Sequence, residues 1–429
     1  MTPETRRAFA PLAWSNLAAQ SAEQICLAAV PIVAVLSLQA GPGTVGALAS
    51  AQTLPFLLLS IPLGLLADRW PRRRLMLATE ALRVLTLLAL WLLVAADHVT
   101  LPALAVLGFI GALGTVGFSV AAPALLPDLV PRQDLAHANG RIELARSLAY
   151  AGGPALAGAL VAWAGAGSAF AAAAALSAAA VALLARLREP PRVPGPRRHP
   201  LVDIRQGAGF VWQHALLKPI LLTAVAWNLA WCVLQAAYVP YAMTRLGLSA
   251  AGVGLTLAGY GAGMVLGALA ASRLIPALRY GHAVLLGPLV SVLAAFVMTA
   301  STRWPQPALA GLSFFLFGAG PIIWTISSTT LRQHVTPAGL LGRVGAIFLT
   351  VNAGARPVGS LIGAWIGAAH GSQACLWLAA AGFVLQAGVI AASPVLLTNG
   401  SASAIPFDAK EARCGWQRER APARHPVCR

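Results

Sequence analysis

Twelve apolar stretches, each long enough to cross a bilayer and separated by short polar breaks, govern what this chain can fold into. They cover residues 13–38, 44–67, 75–96, 101–123, 143–164, 168–187, 219–243, 250–272, 282–301, 307–330, 344–368 and 373–397. A bilayer takes roughly 20 apolar residues per helix, so about 240 residues lie in lipid and too few remain for a soluble domain. Nothing in hydrocarbon can satisfy an exposed peptide group, so each stretch must be helical. With 58% of 429 residues hydrophobic and 10% charged, and a mean hydropathy of +0.74, the fold is all-α integral membrane with twelve transmembrane helices.

A net charge of +17 raises the question of a nucleic-acid partner, and the placement of the charge answers it. With the amino terminus in the cytoplasm, 25 of the 30 Lys and Arg fall in cytoplasmic segments, only Arg245 and Arg303 fall outside, and Arg83, Arg146 and Arg356 lie within spans. This is the positive-inside bias of a membrane protein and not a nucleic-acid footprint. Both termini are expected in the cytoplasm, in the inner membrane of a bacterium. The start, MTPETRRAFAPLAWSN, leads into a stretch too long for a signal peptide, so the first span is expected to remain as a helix.

The longest polar break before the tail, residues 188–218, opens with a Pro-rich run that cannot continue a helix. It divides the chain into a bundle over 1–187, a cytoplasmic linker over 188–218, a second bundle over 219–398 and a flexible cytoplasmic tail over 399–429. Within the linker, Val202 to Trp212 fits a short amphipathic helix, with Ile204, Phe210, Val211 and Trp212 as its apolar contacts, or an ordered loop. The halves are pseudo-symmetric. At an offset of 202, Arg141, Ala151, Gly152, Trp163 and Gly165 face Arg343, Ala353, Gly354, Trp365 and Gly367, which pairs spans five and eleven. A weaker echo of GLLADR in GALAASR pairs spans two and eight. Glycines 259, 263 and 267, and 359, 363 and 367, recur every four residues and are expected to let backbones approach where the halves meet.

After span two stands GLLADRWPRRR, residues 64–74. It resembles the signature loop of the major facilitator superfamily. The resemblance implies a gating latch in which Asp68, following Gly64, is held by Arg69, Arg72 and Arg73 while the protein is open outward. Pro71 departs from the family's glycine, so a turn with positive φ is excluded there. LLPDLVPR with Asp128, LAHANG, and NAGARPVG at 352–359 are similar to the exporter branch that includes enterobactin exporters and macrolide efflux proteins. Gly153, Pro154 and Gly158 on span five resemble the glycine–proline motif of facilitator antiporters, although its second glycine pair is only Ala157-Gly158.

A charge at the bilayer centre costs about 2.5–3.5 kcal/mol on insertion scales, so it needs a cavity or a partner. Glu23 lies about 15 Å of helix rise into span one and shares a polar stripe with Asn16, Gln20 and Gln24. It is the candidate proton carrier, with Arg356 as its partner; a structural ion pair is the alternative. Glu80 with Arg83, and Glu143 with Arg146, are spaced for pairing within one helix, and Arg146 is also a cavity candidate. In the superfamily fold, helices one, four, seven and ten line the cavity. That implies walls built by Trp227, Asn228, Trp231, Gln235 and Tyr238 of span seven and Trp324 and Ser328 of span ten, with Asn352 nearby and little from span four beyond Thr115 and Ser119.

There is no GxxxxGK phosphate loop, no metal-ligand spacing and no nucleophile beside a base. An enzyme is therefore disfavoured and no cofactor is expected, with the proton gradient as energy source. The resemblance implies a monomeric secondary transporter that exports a bulky amphipathic organic solute in exchange for protons. Uptake by the same fold, and a non-transporting membrane receptor or assembly factor, stay open at this point.

Overall fold

A computed structural model describes residues 3–131, 135–189, 200–337 and 340–397. Its helices are α1 (Pro3–Leu38), α2 (Pro42–Arg69), α3 (Arg72–Ala95), α4 (Leu101–Leu129), α5 (Leu135–Ala164), α6 (Ser168–Ala185), α7 (Pro200–Gln213), α8 (Leu217–Thr244), α9 (Ala250–Ala277), α10 (Tyr280–Ala300), α11 (Pro307–Val335) and α12 (Leu341–Ala391). Eleven are long and apolar enough to cross a membrane, and the last supplies a stretch of 49 residues. Inside it Gly371 adopts φ 78°, in the left-handed region, which favours a residue without Cβ. The Cys375 thiol lies 3.4 Å from the Gly363 carbonyl, whereas twelve residues of straight helix would separate them by about 18 Å. The chain therefore reverses at Gly371, and α12 provides spans eleven and twelve.

The spans form two bundles, α1–α6 and α8–α12, with α7 between them in the chain. Its Val211 side chain is fully buried against the second bundle, and the Arg343 guanidinium at the start of α12 donates to Gln206 Oε1 at 2.5 Å. Trp212 is exposed, with the Lys218 ammonium 4.7 Å from its ring centroid. The linker helix expected at Val202–Trp212 is thus present and turns Val211 towards protein. The side chain of Ile204 and the whole tail from residue 398 lie outside the described residues.

The buried apolar side chains divide into three groups. One contains residues of both bundles, from Ala22–Ala34 of α1 to Ala230–Leu246 of α8 and Phe314 and Phe317 of α11. A second belongs to the first bundle alone, around Phe9, Met76 and Leu125, and a third to the second bundle around Leu217, Leu331 and Phe348. The bundles are therefore joined at one end and separate at the other. The separate end carries Arg72, Arg73, Arg186, Arg205, Arg279 and Arg343 and is called the basic face below; the joined end is the opposite face.

The joint is made by backbone. A Cβ at Gly46 of α2 would stand 2.7 Å from the Ala364 nitrogen of α12, one at Gly158 of α5 2.4 Å from the Ala250 carbonyl of α9, and one at Gly261 of α9 2.2 Å from Ala151 Cα. The Ser50 hydroxyl donates to the Pro357 carbonyl across the same seam at 2.8 Å. The glycines expected to serve there do otherwise. Gly259, Gly263 and Gly267 face α11, and Gly359 and Gly363 face α8, all within the second bundle; only Gly367 meets the other half, at Pro42. A four-residue repeat produces a smooth ridge, but which neighbour lies on it depends on helix rotation. The two most extensive crossing contacts, α2 with α12 and α5 with α9, exchange under the internal repeat, which pairs spans two with eight and five with eleven.

Inside the first bundle is a buried polar core whose hydrogen bonds gather on Glu80 Oε1, with Glu80 Oε2 left without a described partner. Arg83 Nη1 lies 3.4 Å from Glu80 Oε1 and donates to the Ala19 carbonyl at 3.0 Å, the Arg83 Nη2 donates to the Thr115 hydroxyl, and the Ser177 hydroxyl donates to Glu80 Oε1 at 2.8 Å. Glu80 and Arg83 are buried, as expected of a three-residue pair within one helix. Glycines 108, 111, 114 and 117 of α4 make room for this polar side: their absent Cβ positions are filled by Gln52, Thr86, Arg83 and Thr79.

Two outcomes follow from this packing. Gly254→Val, whose side chain would collide with the Pro154 carbonyl 2.4 Å from the Cβ position, should part the seam. Spin labels replacing the exposed Trp163 and Trp304 should report a longer distance than in the parent protein; an unchanged distribution would contradict this packing. Arg83→Met should cost about 3–5 kcal/mol by stranding Glu80, while Glu80→Met with Arg83→Met should recover most of it, as read by thermal unfolding in detergent.

Candidate functional site

The V between the bundles holds a cavity of about 750 Å³. It reaches Ile220, Arg332 and Gly345, close to the basic-face ends of α8, α11 and α12, and is closed at the opposite face by the glycine seam. Its aromatic wall comes from α8 because Trp227 and Asn228 lie three or four residues before Trp231, and Gln235 four after it, so that they share one side of the helix. Trp227 stacks on Trp231 with centroids 5.3 Å apart and planes 12° apart, and Trp231 meets Tyr260 of α9 at 5.0 Å. Trp324 and Ser328 of α11 and Asn352 and Arg356 of α12 complete that side, and Gln24 of α1, Arg146 and Pro154 of α5 face them from the first bundle.

Three of the residues expected in this wall, and the expected proton carrier Glu23, lie elsewhere. Tyr238 shares its helix face with Trp231 but sits nearer the opposite face; it is fully buried, packed against Phe314 at 4.5 Å, with its hydroxyl 2.5 Å from that of Thr256. Asn16 uses its amide to bind the Ile142 carbonyl at 3.3 Å, tying α1 to α5, and half-buried Gln20 does not line the cavity. Half-buried Glu23 does not line the cavity and lies beside Thr115, within electrostatic range of Arg83, Glu80 and Arg356. Arg356 makes no described ion pair with it; its Nε donates to Asn228 Oδ1 at 3.3 Å, and its guanidinium lies 5.8 Å from the Phe56 ring centroid.

Span four contributes no described lining residue, because its glycine stripe is turned to α3 and its Thr115 is engaged by Arg83. Its place is taken by Gln52 of α2, Tyr150 of α5, Tyr260 of α9 and Gln386 of α12, which the sequence reading passed over. Gln386, an amide in the middle of an apolar span, was a visible signal. Arg332 was also missed, since its position at the end of span ten reads as a topology charge.

At the basic face the described partners of the motif arginines are within the first bundle. Arg72 Nη1 pairs with Asp128 Oδ2 at 2.7 Å, and Arg73 donates to the Leu184 and Ala185 carbonyls at the end of α6. The Glu189 carboxylate accepts from the backbone N–H groups of Arg72 and Arg73 at 2.9 and 3.0 Å, where the positive end of the α3 dipole favours an anion. The side chains of Gly64, Asp68, Arg69 and Glu143 lie outside the described residues. On α5, Gly153 admits Gln24 of α1 and Gly158 admits α9, so this motif lets one helix touch both bundles closely.

Comparison with known proteins agrees with this architecture. The family model for the Major Facilitator Superfamily matches residues 12–360. Proteins named enterobactin exporter EntS, from Citrobacter koseri and from Shigella boydii, are each 28% identical over 309 residues, covering 71% of this chain and 72% of theirs. Among solved structures, a POT family transporter in complex with a thioalcohol-conjugated peptide has TM-score 0.75 at 13% identity, covering 92% of this chain and 98% of that one. A bacterial homologue of the iron transporter ferroportin, in an inward-facing state, has TM-score 0.67 at 18% identity over 89% and 98%.

Proposed function

The chain belongs to the Major Facilitator Superfamily, and from that premise we infer that it exports a bulky organic solute of siderophore type across the cytoplasmic membrane of a bacterium. One observation carries the reading: a single cavity of about 750 Å³ is walled by both bundles, open at one face and closed at the other. Rocking the bundles about that cavity would expose it alternately to the two sides, which is what transport of a solute too large for a pore requires. The positive-inside bias makes the basic face cytoplasmic, so the state described is loaded from within, and both termini are cytoplasmic. Each chain encloses its own cavity and works as a monomer.

The relatives' name supports a siderophore-like solute, and the stacked indoles and amides of α8 suit a large solute with aromatic parts. Glu23 is the proton carrier in this reading: a half-buried carboxyl within electrostatic range of Arg83 and Arg356 binds or releases a proton according to what occupies the cavity. Asp68, Arg69 and the Arg72–Asp128 pair form the cytoplasmic gate, which closes as the glycine seam opens.

Removing the gene from the native host should deplete one metabolite from the medium and accumulate it in the cell. The effect should be stronger in iron-poor than in iron-rich growth, as read by mass spectrometry of medium and extract; an unchanged profile in both would defeat the export reading. Glu23→Gln should abolish solute-driven proton movement in sealed vesicles while solute binding persists. Proton movement at the parent rate would remove Glu23 from the coupling.

A further inference from the structure

We propose that the outer side of the first bundle holds an anionic phospholipid of the cytoplasmic leaflet, with one acyl chain lying in a groove over α1 and its phosphate meeting Arg7, Arg141 and Arg186. The groove, of about 590 Å³, shares no described lining residue with the central cavity. Its floor is a stripe of α1 in which Trp14, Ala18 and Ser21 are spaced to share one side of the helix. Leu148 of α5 forms one wall, and Leu176 and Leu183 of α6 form the other. This is the lipid side of the bundle. Trp14 and Leu148 are 61% and 51% exposed, and α6 gives the central cavity no described residue. On α5 the cavity takes Arg146 and Tyr150, each two residues from Leu148 and so on the opposite side of the helix.

The chemistry changes at the basic-face end of the groove. Arg7 precedes Trp14 by seven residues and Arg141 precedes Leu148 by seven, nearly two full turns, so each stands on the same side of its helix as the groove residue. Arg186 follows Leu183 by three residues, and its backbone is still helical. The Asn16 amide donates to the Ile142 carbonyl, which sets the start of α5 level with residue 16 of α1 and brings Arg141 to the mouth. Each of the three helices thus delivers one arginine in line with the groove. Arg7 and Arg186 are exposed and Arg141 is half-buried, and none of the three is in a described ion pair. Trp14 stands at the same mouth, where an indole bridges chains and headgroups.

An apolar slot that ends in three guanidinium groups fits a molecule divided in the same way, an acyl chain joined to an anion. Guanidinium groups give phosphate oxygens charge-assisted hydrogen bonds, and basic pockets between helices on the cytoplasmic side suit anionic headgroups. A choline headgroup would instead bring its own cation among the arginines. The positive-inside bias accounts for arginines at this face, but it does not ask for one on each helix of a groove, aligned with it. So held, the lipid braces α5 and α6 across α1. The proposal concerns the bilayer side of one bundle and stands whatever the central cavity carries.

The test is a competition between two lipids with identical chains. Full-length protein in detergent is offered equimolar palmitoyl-oleoyl phosphatidylglycerol and palmitoyl-oleoyl phosphatidylcholine, and the retained lipids are counted by native mass spectrometry. The parent protein should retain phosphatidylglycerol about fivefold or more over phosphatidylcholine, the effect of even one arginine near an anionic headgroup. Combining Arg7→Gln, Arg141→Gln and Arg186→Gln should remove the preference. Ala18→Trp, which fills the groove and keeps the charges, should lower the phosphatidylglycerol retained. Arg205→Gln with Arg279→Gln, exposed on the same face but outside the groove, should leave the preference at the parent value; thermal unfolding establishes that each variant is folded. Equal retention of the two lipids, a preference that survives the triple variant, or retention unchanged by Ala18→Trp would overturn the proposal. So would an equal loss in the Arg205 and Arg279 variant, because the whole basic face and not this groove would then attract the lipid.

Discussion

The scarcity of hydrogen-bonding partners in hydrocarbon governs this molecule. It forces every span into a helix, because only a helix satisfies its own peptide groups. It also leaves few ways to keep a polar side chain at membrane depth. Glu80, Arg83, Thr115 and Ser177 take one of them, bonding to one another inside the first bundle. Arg146, Arg356 and the amides around them take the other, facing a cavity. The same rule separates polar groups met inside one bundle from polar groups that line the cavity between the two.

Shape follows from how the apolar residues are shared. One buried group joins both bundles at the opposite face, and two others stay private to each bundle at the basic face. A body with one shared core and two separate ones can rock without unfolding, since each bundle keeps its own packing. The internal repeat makes the two crossing contacts equivalent, so α2 on α12 and α5 on α9 can give way together.

Much of this was legible in the sequence. Hydropathy alone located the spans, including the break between spans eleven and twelve that a continuous helical assignment conceals until Gly371 is noticed. The Glu80–Arg83 pair followed from helical spacing, most of the α8 wall from the family resemblance together with that spacing, and the linker was left open between a helix and a loop. What spacing could not supply was rotation and neighbour. Tyr238 belongs to the same stripe as Trp231, yet Trp231 faces the cavity while Tyr238 is buried against Phe314, although the next residue, Val239, still lines the cavity. The glycine ridges of α9 and α12 were visible while their partners were not, since a ridge does not say which helix lies on it. Arg332 was indistinguishable from a topology charge for the same reason.

The seam at Gly46, Gly158, Gly254 and Gly261 joins backbone to backbone, and this decides how water treats it. When such a surface parts, it wets peptide groups and Cα atoms where an ordinary helix interface would wet leucine and phenylalanine side chains. Newly exposed apolar area costs about 25 cal/mol per Å², so a joint with little of it opens cheaply, and water can hydrate the bared carbonyls. While shut, the same absence of side chains brings the backbones close enough for many dispersion contacts and Cα–H···O contacts. At these glycine crossings tightness and reversibility thus have one origin: they exclude water with little apolar side chain to wet when they part, as a surface must if it is to be made and broken in every cycle.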